Sequence, residues 1–515
     1  GRVQKVLTSS QMAAADRQAA DSGIPSEDLM DRAGRGVARA AIRQIGGTYG
    51  RRITVLCGKG NNAGDGFVAA TYLARRGATC NVVLLAPAGE LRGDALAAFD
   101  KMRGSGVRIW PYEGPRLARE LGRSHLVVDA MLGTGSRGAL SGSMAEAASA
   151  VNSAPVEVLA VDIPSGVDGE TGRVEGEAVL ADRTLTLAAL KTGLLLQPGA
   201  RHAGRVEVED IGIPDRMMES DLYLVDARDL AGVIPAREAT AHKRSVGKVL
   251  VVAGSVSMSG AVVLAATGAL RAGAGLVRMA VPHCIGSLVG PQVIEALTAA
   301  MPDTPKGAFS FDAVGRVVEL SEQMQVVAMG PGIGKDTETM NFVTEVLSAV
   351  ERPVVLDADG IAAFQGHPEA LRDRRAPTIL TPHSGELGRL LGRPAQEIDA
   401  HRIPAAREAA RRTGAVVLLK GFHTVVARPD GHAVMVDAGG PVLATGGSGD
   451  VLTGVIAALA TQVDSFTAAW AGACLHGLAG ETLAEWMGDR GVVAGDLLKA
   501  LPLVLHQTSG RATDE

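Results

Sequence analysis

The chain is poor in cysteine and in aromatic residues. Its four cysteines, Cys57, Cys80, Cys284 and Cys474, lie far apart and make no C-x-x-C pair. A disulfide framework and a cysteine-based structural zinc are therefore disfavoured, and a reducing, cytoplasmic setting is expected. Aromatics make up 3% of the residues, too few for a platform on which single-stranded nucleic acid stacks its bases. The formal net charge is −5, with no basic stripe, so the electrostatic footprint of a nucleic-acid binder is missing. No apolar run reaches the roughly 18 residues of a membrane helix, and Gly1 to Thr8 lack the apolar core of a signal peptide. What is abundant is small. Glycine and alanine let helices sit close on sheets, and a chain of 515 residues, 46% hydrophobic, supports two large α/β cores.

Short apolar runs alternate with helical stretches in two series. In the front series Ser10 and Ser26 are candidate caps for helices reaching Asp21 and Ile45. Strands are expected at 53–57, 81–85, 107–110, 125–129 and 156–161, with a helix from about Asp65. These runs of Val, Leu and Ile barely alternate, as in parallel strands covered on both faces. A charged, proline-containing stretch from Glu219 to Thr240 interrupts the rhythm, which places a domain boundary near Val225. The second series has strand candidates at 248–253, 276–281, 326–329, 353–357, 378–380 and 415–420. A hairpin is expected over 425–427 and 433–436, and helix from Gly449 onward. The halves share a layer type without a sequence repeat. The polar tail from Thr508 to Glu515 is expected to fray.

In the front half, Gly58-Lys59-Gly60-Asn61-Asn62-Ala63 follows a strand and opens a helix, the spacing of a dinucleotide loop. The acid expected after the second strand is missing, where Leu84-Leu85-Ala86-Pro87 stands instead. A hydride-transferring NAD site is thereby disfavoured. Three further loops follow strands: Asp129 into Met131–Gly138, Asp162 into Ile163–Gly169, and Lys191 after an expected strand over Arg183 to Leu187. An Asn amide, an aspartate and a Ser hydroxyl converging there can hold a hard cation, and an Asp beside a Lys can trade protons. Each Asp taken singly reads first as a turn or helix-cap residue.

Together the Gly60–Gly66 loop, the Leu132-Gly133-Thr134-Gly135 loop, Asp162-Ile163-Pro164-Ser165-Gly166 and the helix motif Leu29–Gly34 resemble the NAD(P)H-hydrate epimerases, over about Thr8 to Ile213. The resemblance implies potassium ligands at Asn62, Asp129 and Ser165. It implies substrate contacts at Asn61, Asn62, Ala63, Gly64 and Asp65, at Gly133, Thr134, Gly135, Ser136, Arg137, Gly138 and Ala139, and at Asp162. Asp162 and Lys191 are the expected proton-transfer pair, with the roles of acid and base left open. Ala63 stands where that family usually has Gly, and its methyl would crowd the loop unless its φ is negative.

In the rear half, Gly446-Gly447-Ser448-Gly449-Asp450 runs into an apolar helix. Successive free N–H groups at such a start form an anion nest, and Asp450 is placed to take a proton from an attacking hydroxyl. The helix end should lower the Asp450 pKa while burial should raise it. The alternative is an ordinary acid in a first helical turn. Gly330–Asp336 lacks the spacing and terminal Ser/Thr of a Walker A loop.

The G-G-S-G-D run resembles the ribokinase-like superfamily. With His242-Lys243, Gly254-Ser255, Ser259-Gly260-Ala261, Gly330–Gly334, Leu356–Gly360, Leu380–Glu386 and Lys420–Thr424, the half from about Asp226 to Leu505 resembles the ADP-dependent NAD(P)H-hydrate dehydratases. That implies hydrate contacts at Ala261, Gly332, His383 and Asp450, and nucleotide contacts at Lys420, Gly421, Phe422, His423, Thr424 and Gly449. His383 has a plainer reading as a helix cap, and Lys420 as a stem covering the sheet edge.

The expected fold is α/β, with a Rossmann-like doubly wound domain over 1–225 followed by a ribokinase-like domain over 226–515. The implied activity is bifunctional repair: epimer exchange of hydrated NAD(P)H in front, aided by potassium, and dehydration of the S form behind, with ADP or ATP as co-substrate and Mg²⁺ on its phosphates. The expected partners are small molecules and a second copy of the chain, with neither nucleic acid nor membrane. The rivals are a ribokinase-type kinase, which makes a stable phosphorylated product, and a non-catalytic nucleotide sensor in front.

Overall fold

The computed structural model describes residues 3–235 and 246–508. His242-Lys243 and all of the polar tail beyond Thr508 lie outside the described residues. The chain divides into two compact units, Gln4–Ser220 and the stretch from Asp221 onward, which also takes in Val3. The strand Leu222–Val225, left in front by a boundary at 225, pairs in parallel with Ala433–Val436 of the rear unit.

The front unit is built on a seven-stranded parallel sheet. From edge to edge its strands are Arg108–Pro111, Thr79–Leu84, Arg52–Cys57, Leu126–Ala130, Glu157–Val161, Arg183–Leu187 and Arg205–Glu209. The order runs outward in one direction from Arg52–Cys57 and in the other from Leu126–Ala130. The crevice beyond their carboxyl ends is therefore the switch point where such sheets bind ligands. Neighbouring residues of one strand serve opposite cores. Val55 and Cys57 pack on one face with Phe67 and Leu73, while Leu56 packs on the other with Trp110 and Leu117. This is why the strands read as unbroken apolar runs.

The helix over Ser9–Asp21 is capped by Thr8, not Ser10. The Thr8 hydroxyl accepts from Gln11 N–H and the Gln11 side chain accepts from Thr8 N–H, the reciprocal arrangement that needs a Gln three residues on. Ser26 is already the first helical residue after Pro25 and makes no cap bond. The helix expected from Asp65 starts at Asn61.

Among the described residues the rear unit carries ten strands in the order Leu297–Met301, Leu276–Pro282, Lys248–Val252, Val326–Met329, Val354–Leu356, Thr378–Leu380, Val416–Leu419, Thr424–Ala427, Ala433–Val436, Leu222–Val225. Pairing is parallel from Leu297–Met301 through Val416–Leu419, and the 424–427 and 433–436 strands form an antiparallel hairpin. One core joins the sheet to the helices Gly260–Arg271, Ser448–Ala460, Ser465–Met487 and Ala494–Thr508. Among the described residues no helix is long and apolar enough to cross a membrane.

Candidate active sites in the two units

In the front unit the three loops close on one cleft of about 520 Å³, lined among others by Asn61, Asn62, Asp65, Gly133, Thr134, Ser136, Asp162 and Lys191. A methyl placed on Gly133 would stand 3.5 Å from Asn62 Cβ and 3.7 Å from Asp162 Oδ2, which measures how tightly the loops converge. Lys191 is 1% exposed. Its Nζ donates to Asp162 Oδ1 at 2.6 Å, to Thr186 Oγ1 at 3.0 Å and to the Leu187 carbonyl. Thr134 donates its hydroxyl to Asp162 Oδ2, and Leu187 N–H reaches Oδ1 at 3.2 Å.

Burial alone would raise Asp162, but Lys191 and these donors outweigh it and hold the carboxyl below its ordinary value. Asp162 also adopts φ +68°. A non-glycine residue in that region costs roughly 1 kcal/mol or more, a strain typical of functional turns. Asp65, in the same cleft, is pushed well up by burial and then by the Asp162 charge.

Ala63 and Gly64 do not line the cleft. Ala63 is buried in the sheet–helix core within the helix Asn61–Arg75, and its φ is not positive, so the methyl does not crowd the loop. The space at Gly64 is taken by Met30, whose Cε a Cβ would meet at 2.5 Å. Of the second loop, Gly133 to Ser136 line the cleft. Arg137, Gly138 and Ala139 continue outside it, and Arg137 pairs with Glu170 at 3.4 Å.

Asp129 and Ser165 lie fully buried behind this cleft. Ser165 donates its hydroxyl to Asp129 Oδ1 at 2.6 Å and its N–H to Oδ2 at 2.7 Å. Burial lifts Asp129 to about 6 in spite of these donors. Asn62 donates its amide to the Leu132 carbonyl at 2.9 Å, while its buried Oδ1 has no hydrogen-bond partner among the described residues. An orphaned amide oxygen and a costly buried carboxylate are what a bound monovalent cation would satisfy.

In the rear unit Asp357 and Lys420, each directly after a strand, meet the helix Ser448–Ala460. Gly332 packs on Ala261, a Cβ on the glycine falling 2.7 Å from Ala261 Cβ. At Gly449 a Cβ would fall 3.0 Å from Lys420 Nζ, so the ammonium rests against the helix start. Asp450, half-buried one residue on, is raised to about 7 by burial and then by the Asp357 charge, against the pull of Lys420. Of the opposing influences weighed from sequence, desolvation prevails. The expected nest of free N–H groups is narrower than it reads. Ser448 N–H is tied to Thr445, and those of Asp450 and Val451 to Gly447, so an anion there would meet the Lys420 ammonium as well as the backbone.

His383 does cap a helix. Its Nδ1 accepts from Gly385 and Glu386 N–H at 3.0 and 3.2 Å, and its Nε2 lies 2.7 Å from Glu386 Oε1. It also lines a cavity of about 160 Å³ with Asp359 and Lys335. In the Lys420–Thr424 loop, Phe422 is exposed and its ring packs on His423, 4.3 Å between centroids. His423, at φ +48°, reaches Asp437 at 3.2 Å. Thr424 lies 3.5 Å from the Gly421 carbonyl, and Arg402 donates to the Lys420 and Leu419 carbonyls beneath the loop.

Two residues went unrecognised as site-builders in the sequence. Asp357 bonds Lys420, Thr381 and Thr453. His476, buried and lowered to about 4, lies 2.9 Å from the Ser448 carbonyl. The signals for Asp357 are its place in the Leu356–Gly360 loop and a carboxylate directly after an all-apolar strand. His476 sits in an apolar helix and gives none.

Comparison with known proteins agrees with this division. The family model described as NAD(P)H-hydrate dehydratase matches residues 249–503, and that described as YjeF-related protein N-terminus matches 26–193. Bifunctional NAD(P)H-hydrate repair enzymes Nnr are similar along nearly the whole length. That of Moorella thermoacetica is 42% identical over 97% of this chain and 96% of its own. That of Escherichia coli is 34% identical over 95% and 92%. A ribokinase-like superfamily protein of Enterococcus faecalis, 23% identical, covers 56% of this chain and 98% of its own at a TM-score of 0.50, which shows the ribokinase-like fold of the rear unit. With both units matched in order and relatives of this identity spanning the chain end to end, the protein belongs to the family of bifunctional NAD(P)H-hydrate repair enzymes.

Proposed function

We propose that the front unit exchanges the R and S forms of hydrated NAD(P)H and that the rear unit dehydrates the S form at the expense of ADP or ATP. The observation that carries the reading is the half-buried Asp450 carboxyl, poised near neutrality beside the Lys420 ammonium at a helix start. A general base works best when its pKa lies near the working pH. Asp450 takes the proton of the C6 hydroxyl, and the oxygen attacks the terminal phosphoryl group. The bond to the nucleotide breaks, leaving AMP or ADP. The ring nitrogen lone pair expels phosphate from C6, and loss of a C5 proton restores the dihydropyridine. Lys420 and Gly449, with Gly421 to Thr424, hold the nucleotide, while Ala261, Gly332 and His383 contact the hydrate. Mg²⁺ would be carried by the nucleotide phosphates.

In the front cleft C6 bears both the hydroxyl and the ring nitrogen. Asp162, kept ionised by Lys191, takes the hydroxyl proton, and Lys191 returns a proton to the nitrogen. The C6–N bond opens to an aldehyde and recloses on the other face. Potassium at Asn62, Asp129 and Ser165 would supply fixed positive charge behind the loop. Potassium should raise the melting temperature of the wild-type protein and not of Asn62→Ala. Equal melting shifts in both would place the ion elsewhere.

The dehydration reading is tested by product stoichiometry. S epimer with ADP should release inorganic phosphate and dihydropyridine in equal amounts. A stable phosphorylated hydrate without recovered dihydropyridine would make the rear unit a kinase.

A further inference from the structure

We infer that Asp357 is a positioning residue that clamps the Lys420 ammonium against the Gly449 turn and, through Thr453, ties that clamp to the helix carrying Asp450. The inference rests on the reading of the rear unit given above. Asp357 is 1% exposed, and three side chains converge on it. Lys420 Nζ donates to Oδ1 at 2.9 Å, Thr381 to Oδ1 at 2.8 Å and Thr453 to Oδ2 at 2.8 Å. Thr453 sits one helical turn beyond Gly449 and Asp450, on the same helix. One carboxylate thus joins the ends of two strands to the nucleotide-facing helix. The ammonium it holds lies against the Gly449 turn, 3.0 Å from where a Gly449 Cβ would stand.

The charges around this clamp give it a signature beyond mere support. Asp450 faces Asp357, Lys420 and Asp359. Lys420 faces Asp357, Glu386 and Asp450, with His476 nearby and uncharged near neutrality. Burial pulls Lys420 down, and the carboxylates, Asp357 first, outweigh it. Asp357 therefore keeps the lysine charged and, as a like charge, keeps Asp450 from ionising too readily. Asp357→Asn removes both influences. Asp450 then ionises at lower pH, being rid of a neighbouring negative charge while Lys420 still attracts it. Lys420 in turn gives up its proton at lower pH.

The experiment is the pH profile of S-epimer dehydration with ADP in wild type and Asp357→Asn, together with carbon NMR titration of the Asp450 carboxyl, assigned with Asp450→Asn. Both limbs of the profile and the Asp450 midpoint should move to lower pH, by on the order of one unit, and KM for ADP should rise roughly tenfold. A variant with reduced rate but unmoved limbs and midpoint would reduce Asp357 to a packing residue and overturn the inference. Should Asp357→Asn not fold, Thr453→Val keeps shape and charge while removing one anchor. It should raise KM for ADP severalfold with little change in the limbs, and an unchanged KM would refute the clamp. If the wild-type chain itself restores no dihydropyridine, the functional reading fails. The NMR midpoints still decide the role of Asp357, because they read the carboxyl and not turnover.

Discussion

Asp450→Asn should abolish nucleotide-dependent recovery of dihydropyridine from the S epimer while leaving epimer exchange at the wild-type rate. The amide keeps the shape and the helix but cannot take a proton. General-base catalysis is worth roughly 10²–10⁴ in rate, and the neighbouring Asp357 carboxyl is already committed to three donors. Chromatographic separation of the two epimers, with absorbance for the product, reads both activities in one sample. The wild-type pH dependence follows the same residue. Asp450 must be ionised to act, and its pKa is about 7. The dehydration kcat/KM should therefore fall about tenfold per unit below that pH and flatten above it, until Lys420 loses its proton. Full dehydration by the Asn variant would remove Asp450 from the chemistry.

Lys191→Met should have the second large effect, confined to the front unit. It deletes the proton donor and leaves Asp162 buried against Thr134 and Thr186 without its counter-ion. Epimer exchange should drop by roughly 10²–10⁴. Breaking a buried pair from one side costs about 3–5 kcal/mol, because the remaining charge is uncompensated. The front unit should therefore melt at a lower temperature. Asp162→Asn combined with Lys191→Met removes both charges, and should recover most of the lost stability without recovering exchange. Loss of activity in the single variant with full activity in the double would assign the pair a structural role only. Dehydration of pure S epimer should be unaffected in both variants.

The strands of both units were legible because they are covered on two faces, which leaves an unbroken run of Val, Leu and Ile. The strands that escaped the reading are edges or short pieces. Leu297–Met301 and Arg205–Glu209 are largely exposed or half-exposed, and their composition follows solvent more than core. The glycine-rich loops were legible as well, since backbone approach to a ligand demands them. The sequence did not reveal which of their residues turn inward. Ala63 and Gly64 belong to the packing behind the loop, and Asn61, Asn62 and Asp65 to its face, because the helix starts at Asn61 rather than Asp65. The Asp357 network was illegible for another reason. Its partners lie 24, 63 and 96 positions away, and only the sheet brings them together.

That two separate sites act in series on one metabolite is tested most directly by complementation. Pure R epimer with ADP is given to Lys191→Met alone, to Asp450→Asn alone, and to an equimolar mixture, and the initial rate of dihydropyridine recovery is followed. Neither variant alone should convert the R epimer at an appreciable rate, and the mixture should. Conversion by either variant alone, or none by the mixture of two folded proteins, would contradict the account.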